Sequence, residues 1–153
     1  ALAKHASGDT PKAIDDLLIA RNESRRIGDH LWDLACSVDI LEILAESDPA
    51  RAIDLVPEHI IVEAEASEMK WRALRGRVAL TKARNLLAAN LGLTPRQITV
   101  MRGLLQDLTI NEIATSLGFS HSTVRQESIA IYKALNIEGR TAIAERAHEL
   151  RLI

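Results

Sequence analysis

The sequence predicts an all-α protein. Only seven Gly and four Pro are present among 153 residues, Ala and Leu recur at spacings of three and four, and few β-branched residues alternate with polar ones. Apolar residues three and four positions apart share one face of a helix, whereas a strand requires alternation. Pro11, Pro49 and Pro95 each follow a Thr or Asp directly, as is typical of helix starts. Pro57 lies inside an otherwise helical segment and predicts a kink or a short break.

Composition limits the classes of protein to consider. The chain is long enough for one ordinary domain or two small ones, and its 47% of hydrophobic residues can supply a core. The net charge of -2 excludes a strongly basic chain, so any basic surface for nucleic acid must be local. A single cysteine, Cys36, excludes an internal disulfide and fits a reducing cytoplasm.

No apolar run approaches the roughly 18 residues that a membrane-spanning helix needs. We therefore expect a cytoplasmic protein with no membrane partner. Because the sequence begins at Ala1 and not at Met, we also expect a fragment of a longer protein, with any nucleotide-hydrolysing module outside it.

The first 90 residues contain signs of an internal repeat. Residues 12–15 (KAID) match residues 51–54 (RAID) at an offset of 39, and Trp32 and Trp71 share that offset. A period of this size is typical of helical hairpins that stack on one another. The predicted hairpins pair residues 11–27 with 30–46 and residues 49–66 with 68–88. They resemble tetratricopeptide-type repeats; the alternative is a helical bundle without repeats.

Residues 70–84 contain six basic side chains and no acidic one. Two interpretations are open: a strip that faces phosphates, or a solvated helix face that complements the acidic helices before it. Residues 90–93 (NLGL) then mark a boundary, with Gly92 as a helix stop. We therefore predict two domains, residues 1–90 and residues 93–153.

The last sixty residues contain start and stop signals for three successive helices. Residues 94–97 (TPRQ) and 109–112 (TINE) each have the spacing of a capping box, in which two side chains bond each other's backbone N–H groups. Gly118 can adopt the left-handed conformation that ends a helix. Ser120 or Ser122 then caps the third helix. Two short helices followed by a capped third helix form a helix-turn-helix arrangement.

The third helix has a core face and an outward face. The core face is predicted to contain Val124, Ser128, Ile131, Tyr132 and Leu135. The outward face is predicted to contain Ser122, Arg125, Gln126, Ile129 and Lys133.

The segment from residue 93 to about residue 150 resembles the LuxR-type, GerE- and NarL-like DNA-binding domain. The matching residues are Leu93-Thr94, Arg96, Glu112-Ile113-Ala114, Ser120, Thr123-Val124-Arg125 and Leu135, followed by Ile137, Gly139-Arg140 and Ala142 at the start of the fourth helix. The resemblance implies a four-helix domain whose third helix, about residues 121–136, lies in the major groove. It also implies that the fourth helix often serves dimerisation.

Side chains on the outward face have the chemistry of base recognition. Arg125 can make a bidentate contact with guanine, Gln126 can bond adenine, and Ile129 can touch a thymine methyl group. Thr109, Thr123 and Lys133 are candidates for phosphate contacts. The complete predicted DNA-binding set is Thr109, Asn111, Ser122, Thr123, Arg125, Gln126, Glu127, Ile129 and Lys133.

Four positions depart from the family pattern. Gln97 replaces a common Glu, Asn111 a frequent basic residue, Glu127 a frequent His and Ala130 a frequent Asn. Seven basic and six acidic side chains in residues 93–153 leave a net charge of about +1. We therefore expect a monomer to bind weakly and in a salt-dependent way, and a homodimer to form through the C-terminal helix.

Glu127 lies between the core face and the outward face of the third helix. We expect it to accept a hydrogen bond from a cytosine amine, or to pair with Arg125 or Lys133 until DNA arrives.

The predicted function is a sequence-specific DNA-binding transcriptional regulator. Residues 1–90 act as a helical sensor or connector that can bind a protein or small-molecule effector. The alternative is a helical protein-interaction module whose helix-turn-helix has lost DNA affinity, which the acidic balance favours. No enzyme activity, cofactor or metal site is predicted, because the five His residues are scattered and no Gly-rich phosphate loop is present.

Overall fold

The structure is a computed structural model that describes residues 8–153, so residues 1–7 of the predicted first domain, with His5, lie outside the described residues. Every regular element within residues 8–153 is a helix, which confirms the all-α prediction. The described residues form two compact units, one that extends to Ala83 and one from Arg84 to Ile153. None of the described helices has the length and apolar character needed to cross a membrane.

The helices of the first unit begin and end close to the limits of the predicted helical segments, and the pairing of residues 49–66 with 68–88 as a second hairpin stays a prediction. These helices are α1 (Thr10–Ile27), α2 (His30–Ser47), α3 (Pro49–Leu55), α4 (Glu58–Ala66) and α5 (Lys70–Asn90), of which α5 continues beyond Ala83. Helices α1 and α2 pack against each other as the first hairpin. The predicted break at Pro57 is confirmed, since α3 ends before it and α4 begins after it. The proline cannot donate a backbone hydrogen bond to a preceding turn.

Short polar side chains begin three of these helices. Asp9, Asp29 and Asp48 accept hydrogen bonds from the backbone N–H groups three residues later, at 3.4, 3.0 and 3.2 Å. These bonds satisfy donors that a helix cannot satisfy internally.

Helix α2 lies at the centre of the first unit. Its Leu34, Val38, Ile40 and Leu41 side chains are fully buried. Cys36 is buried among them, and this burial raises the pKa of its thiol, so it behaves as a small apolar core residue.

Residues related by the 39-residue offset have similar surroundings. Ala13 and Ala52 are both fully buried, and Trp32 and Trp71 are both more than half exposed. The tetratricopeptide-type assignment stays a prediction.

The second unit contains the predicted four-helix arrangement. After the last turns of α5 come α6 (Pro95–Leu105), α7 (Ile110–Leu117), α8 (His121–Leu135) and, beyond a 3₁₀ turn at Arg140–Ala142, α9 (Ile143–Glu149). Helices α6, α7 and α8 pack against one another, and α9 packs against α8 and α6. The predicted domain limits, residues 1–90 and 93–153, stay a prediction.

The predicted start and stop signals of the second unit are present. Thr94 with Gln97 and Thr109 with Glu112 form complete capping boxes. Gly118 ends α7 with a φ of 67°, in the left-handed region, and Gly92 follows α5 with a φ of 81°. These local signals set the limits of the helix-turn-helix.

Helices α6 and α7 approach closely at Gly103. A Cβ atom placed on Gly103 would lie 2.8 Å from Cγ1 of Ile113, which is itself buried. Glycine therefore permits the spacing between α6 and α7 that a larger residue would widen.

Candidate DNA-binding face

Helix α8 has the two faces that its sequence predicts. Val124, Ser128, Ile131 and Leu135 are buried in the core of the second unit, and Tyr132 is partly buried beside them. The opposite face is exposed and contains Ser122, Arg125, Gln126, Ile129 and Lys133. Ile129, with 60% of its surface exposed, is a large apolar residue on an otherwise polar surface.

The start of α8 is held by Ser120. Its hydroxyl accepts a hydrogen bond from the backbone N–H of Thr123 at 3.1 Å. The same hydroxyl lies 2.8 Å from the hydroxyls of both Ser122 and Thr123. Of the two capping candidates, Ser120 is therefore the cap, and Ser122 lies in the first turn.

The longest side chains of the exposed face are free to meet a ligand. Within residues 8–153, no hydrogen bond or ion pair engages the side chain of Arg125, Gln126 or Lys133. Arg and Gln side chains can each make two hydrogen bonds to a purine edge in the major groove, and a Lys can reach a phosphate. The face therefore combines, on one helix, side chains whose chemistry suits base edges with a side chain whose chemistry suits a phosphate.

The remaining predicted phosphate contacts differ in how available they are. Asn111 lies exposed in the first turn of α7. Thr109 is the N-cap of that helix, and its hydroxyl bonds the carboxylate of Glu112 at 2.8 Å. A phosphate contact through the hydroxyl of Thr109 or Thr123 must therefore replace or share an existing hydrogen bond.

The expected pairing of Glu127 with Arg125 or Lys133 is wrong. Its carboxylate accepts a hydrogen bond from Nε2 of Gln97 at 3.0 Å and lies 3.6 Å from a guanidinium nitrogen of Arg96. Residues two and six positions away on a helix do not share its side, so only another helix can supply the partners. The side chain of Glu127 is 20% exposed and faces α6.

Arg96 is a residue that the predicted site did not include. Its guanidinium lies 5.1 Å from the centre of the Phe119 ring, in addition to its contact with Glu127. The cation therefore joins the first turn of α6 to the turn before α8 and to α8 itself. The signal in the sequence was Glu127, a carboxylate at a position where the family frequently has a His.

Arg140 also stabilises the helix-turn-helix from outside the predicted set. Its guanidinium donates hydrogen bonds to the carbonyl oxygens of Leu104 and Leu108, at 3.1 and 2.8 Å. The Leu104 carbonyl lies in the last turn of α6 and the Leu108 carbonyl lies three residues beyond its end, where backbone donors for such acceptors are few.

The basic segment of residues 70–84 is largely neutralised within the first unit. Arg72 and Arg75 lie 3.2 and 3.3 Å from the carboxylate of Asp39. Three further ion pairs join basic side chains of α5 to acidic side chains of other helices. These pairs are Arg75 with Glu42, Arg77 with Glu65 and Lys82 with Glu46. The Glu42 carboxylate raises the pKa of Arg75 above its usual range. Of the two interpretations of this segment, the helix face that complements acidic neighbours is favoured.

Within residues 8–153, no cluster of three His, Cys, Asp or Glu side chains is arranged to hold a metal ion. No curated protein and no solved structure in the comparisons matches the chain. Residues 91–147 match the family model GerE, described as bacterial regulatory proteins of the luxR family. That family consists of DNA-binding regulators and not of enzymes. The match covers α6, α7 and α8 together with most of α9, so this segment of the chain is a LuxR-family helix-turn-helix domain.

Proposed function

We propose that the chain is a sequence-specific transcriptional regulator that reads DNA by placing α8 in the major groove. Arg125, Gln126 and Ile129 contact base edges, and Lys133 binds a phosphate. Ser122, Thr123, Thr109 and Asn111 lie at the edges of this surface and bind the backbone of the duplex.

The single observation that supports the proposal most is the exposed face of α8. Its Arg125, Gln126 and Lys133 side chains have no partner within the described residues, although the chain as a whole carries more acidic than basic residues. A cation without a carboxylate beside it can neutralise a phosphate and release a counterion, which supplies binding free energy.

We also propose that the regulator acts as a homodimer through α9. A net charge of about +1 in residues 93–153 provides little nonspecific attraction for one domain. Two domains on adjacent half-sites add their contacts, and regulators with a helix-turn-helix bind in this way. The first unit is then available for a protein or small-molecule effector.

Selection of bound duplexes from a random pool tests the function directly. We expect the full chain to enrich one sequence, and we expect Arg125→Ala to weaken binding to that sequence about tenfold or more while the helical content is unchanged. Gln126→Ala should weaken binding mainly at one base pair.

Arg77→Ala is the matched control, because it removes one positive charge that an acidic side chain already neutralises. Arg125→Ala should also lower the slope of log affinity against log salt by about one, whereas Arg77→Ala should not. Absence of any retardation of random duplex at low salt would contradict the proposal and favour a protein-interaction module.

A further inference from the structure

Glu127 belongs to a cluster that joins three parts of the helix-turn-helix. Its carboxylate contacts Gln97 and Arg96 in the first turn of α6, at 3.0 and 3.6 Å. Arg96 in turn lies over the ring of Phe119, which precedes the cap of α8. The cluster therefore connects the start of α6, the turn and the second turn of α8.

The Gln97 side chain has a fixed orientation in this cluster. Its Oε1 accepts a hydrogen bond from the backbone N–H of Thr94 at 2.9 Å, as the capping box requires. Its Nε2 group is therefore the end that faces α8, and it donates to Glu127. A donor in this position needs an acceptor opposite, and the carboxylate of Glu127 supplies one.

The two residues are consequently matched to each other. A Glu at position 97 could still complete the capping box, but its second oxygen would face the carboxylate of Glu127 without a proton between them. Two like charges at this distance repel, and four fifths of the Glu127 side chain is shielded from solvent.

We propose that Glu127 is a positioning residue, which sets the orientation of α8 by docking it on Gln97 and Arg96, and that it does not read a base. The adjacent Arg125 and Gln126 are exposed and unpartnered, whereas the Glu127 carboxylate is occupied. The DNA-binding part of this inference rests on the proposed function; the docking contact does not.

Exchange of the two side chains tests the inference in the full chain. Gln97→Glu keeps the cap and creates the repulsion, so we expect about tenfold weaker binding to every duplex under conditions where the protein is fully folded. The double variant Gln97→Glu with Glu127→Gln restores a donor opposite an acceptor, so binding should return to within about threefold of the parent.

Two comparisons separate positioning from other effects. Gln106→Glu adds the same charge at the other end of α6 and should leave the affinity almost unchanged. Glu127→Gln alone should keep the base preference of the parent in the random-pool selection. Failure of the double variant to recover affinity, or relaxed preference at one base pair in Glu127→Gln, overturns the inference.

Unfolding measurements on the parent, the two single variants Gln97→Glu and Glu127→Gln, and the double variant test the contact without DNA. The cycle formed by Gln97→Glu, Glu127→Gln and the double variant should show coupling of about fivefold in the unfolding equilibrium constant. If the effects of the two substitutions on the free energy of unfolding are additive, the inference that Glu127 docks α8 on α6 is wrong. If the parent binds no duplex, the proposed function fails, and this cycle still decides whether Glu127 docks α8 on α6.

Discussion

Helices α5 and α8 both carry basic side chains on solvent-facing surfaces, and the two surfaces differ in what lies beside those charges. On α5, Arg75 and Lys82 are paired with carboxylates of α2. On α8, Arg125 and Lys133 have no carboxylate partner among residues 8–153. The number of basic residues alone would favour α5 as a surface for nucleic acid. The presence of carboxylate partners on α5, and their absence beside Arg125 and Lys133 among residues 8–153, favours α8.

The difference arises from how each unit uses its acidic residues. In the first unit, Asp39 and Glu42 neutralise cations across a helix interface. In the second unit, Glu112 caps α7 and Glu127 docks on α6, so neither reaches the exposed face of α8. Local charge pairing therefore determines which surface can attract a polyanion, and a net charge of -2 does not exclude it.

Removing the central carboxylate of the α2–α5 interface should have the largest effect. Asp39 is 7% exposed and lies between Arg72 and Arg75, so Asp39→Asn leaves two half-buried guanidinium groups with less compensation. We expect the free energy of unfolding of the first unit to fall by about 3 kcal/mol. Urea unfolding followed by tryptophan fluorescence measures it, because both Trp residues belong to that unit.

Glu46→Gln is the control for this substitution, since its pair with Lys82 is largely exposed. Glu46→Gln should leave the free energy of unfolding almost unchanged, because solvent screens an exposed ion pair. DNA affinity should not change in either variant. Equal stability of the two variants would show that burial does not strengthen the pairing on α5.

A carboxylate introduced on the exposed face of α8 should give its basic side chains a partner, as those of α5 already have. Ile129 is exposed and lies four residues after Arg125, so Ile129→Glu supplies the pairing that α5 already has. We expect affinity for the selected duplex to fall about 100-fold, or about 2.7 kcal/mol, with unchanged helical content.

The neutral variant Ile129→Gln separates charge from the loss of an apolar contact. Ile129→Gln should weaken binding by less than about tenfold, since it removes only the proposed contact with a thymine methyl group. The two variants are compared by titration at the same salt concentration. Similar losses in both would mean that the free charge of Arg125 is not what α8 contributes.

The smallest effect concerns the carboxylate that caps α7. Two hydrogen bonds from Thr109 hold the pKa of Glu112 below its usual value of 4.5. The backbone N–H of Thr109 has the larger effect, and its hydroxyl has the smaller one. The stabilisation is complete above the pKa of the unfolded chain and is lost as pH falls through the lower folded pKa.

Glu112→Gln should keep the cap, as Gln97 does in α6, and remove this titration. We expect little change in stability at pH 7 and a weaker loss of stability on acidification below about pH 4.5. Thermal unfolding followed by circular dichroism across this range measures the difference. If Glu112→Gln loses stability on acidification as much as the parent does, other carboxylates cause that loss.

Much of the fold could be predicted because its signals are local. The capping boxes at Thr94 and Thr109, the stop at Gly118 and the break at Pro57 all depend on residues within one helical turn. The face of α8 that is exposed followed from periodicity alone.

The partners of Glu127 could not be predicted in this way. The prediction placed them on its own helix, at Arg125 or Lys133, and the structure has them on α6. Periodicity gives the direction in which a side chain leaves its helix, but not which residue of a neighbouring helix lies opposite it.

The sequence by itself determined the capping boxes and stops that limit α6 and α7, which segment is the LuxR-family domain and which residues of α8 face outward. Only the tertiary structure decided which charges are paired. Gln97 and Glu127 are 30 residues apart in the chain, and Arg75 and Glu42 are 33 apart. Ion pairs depend on distances of a few ångströms between helices, which packing sets and local patterns do not contain.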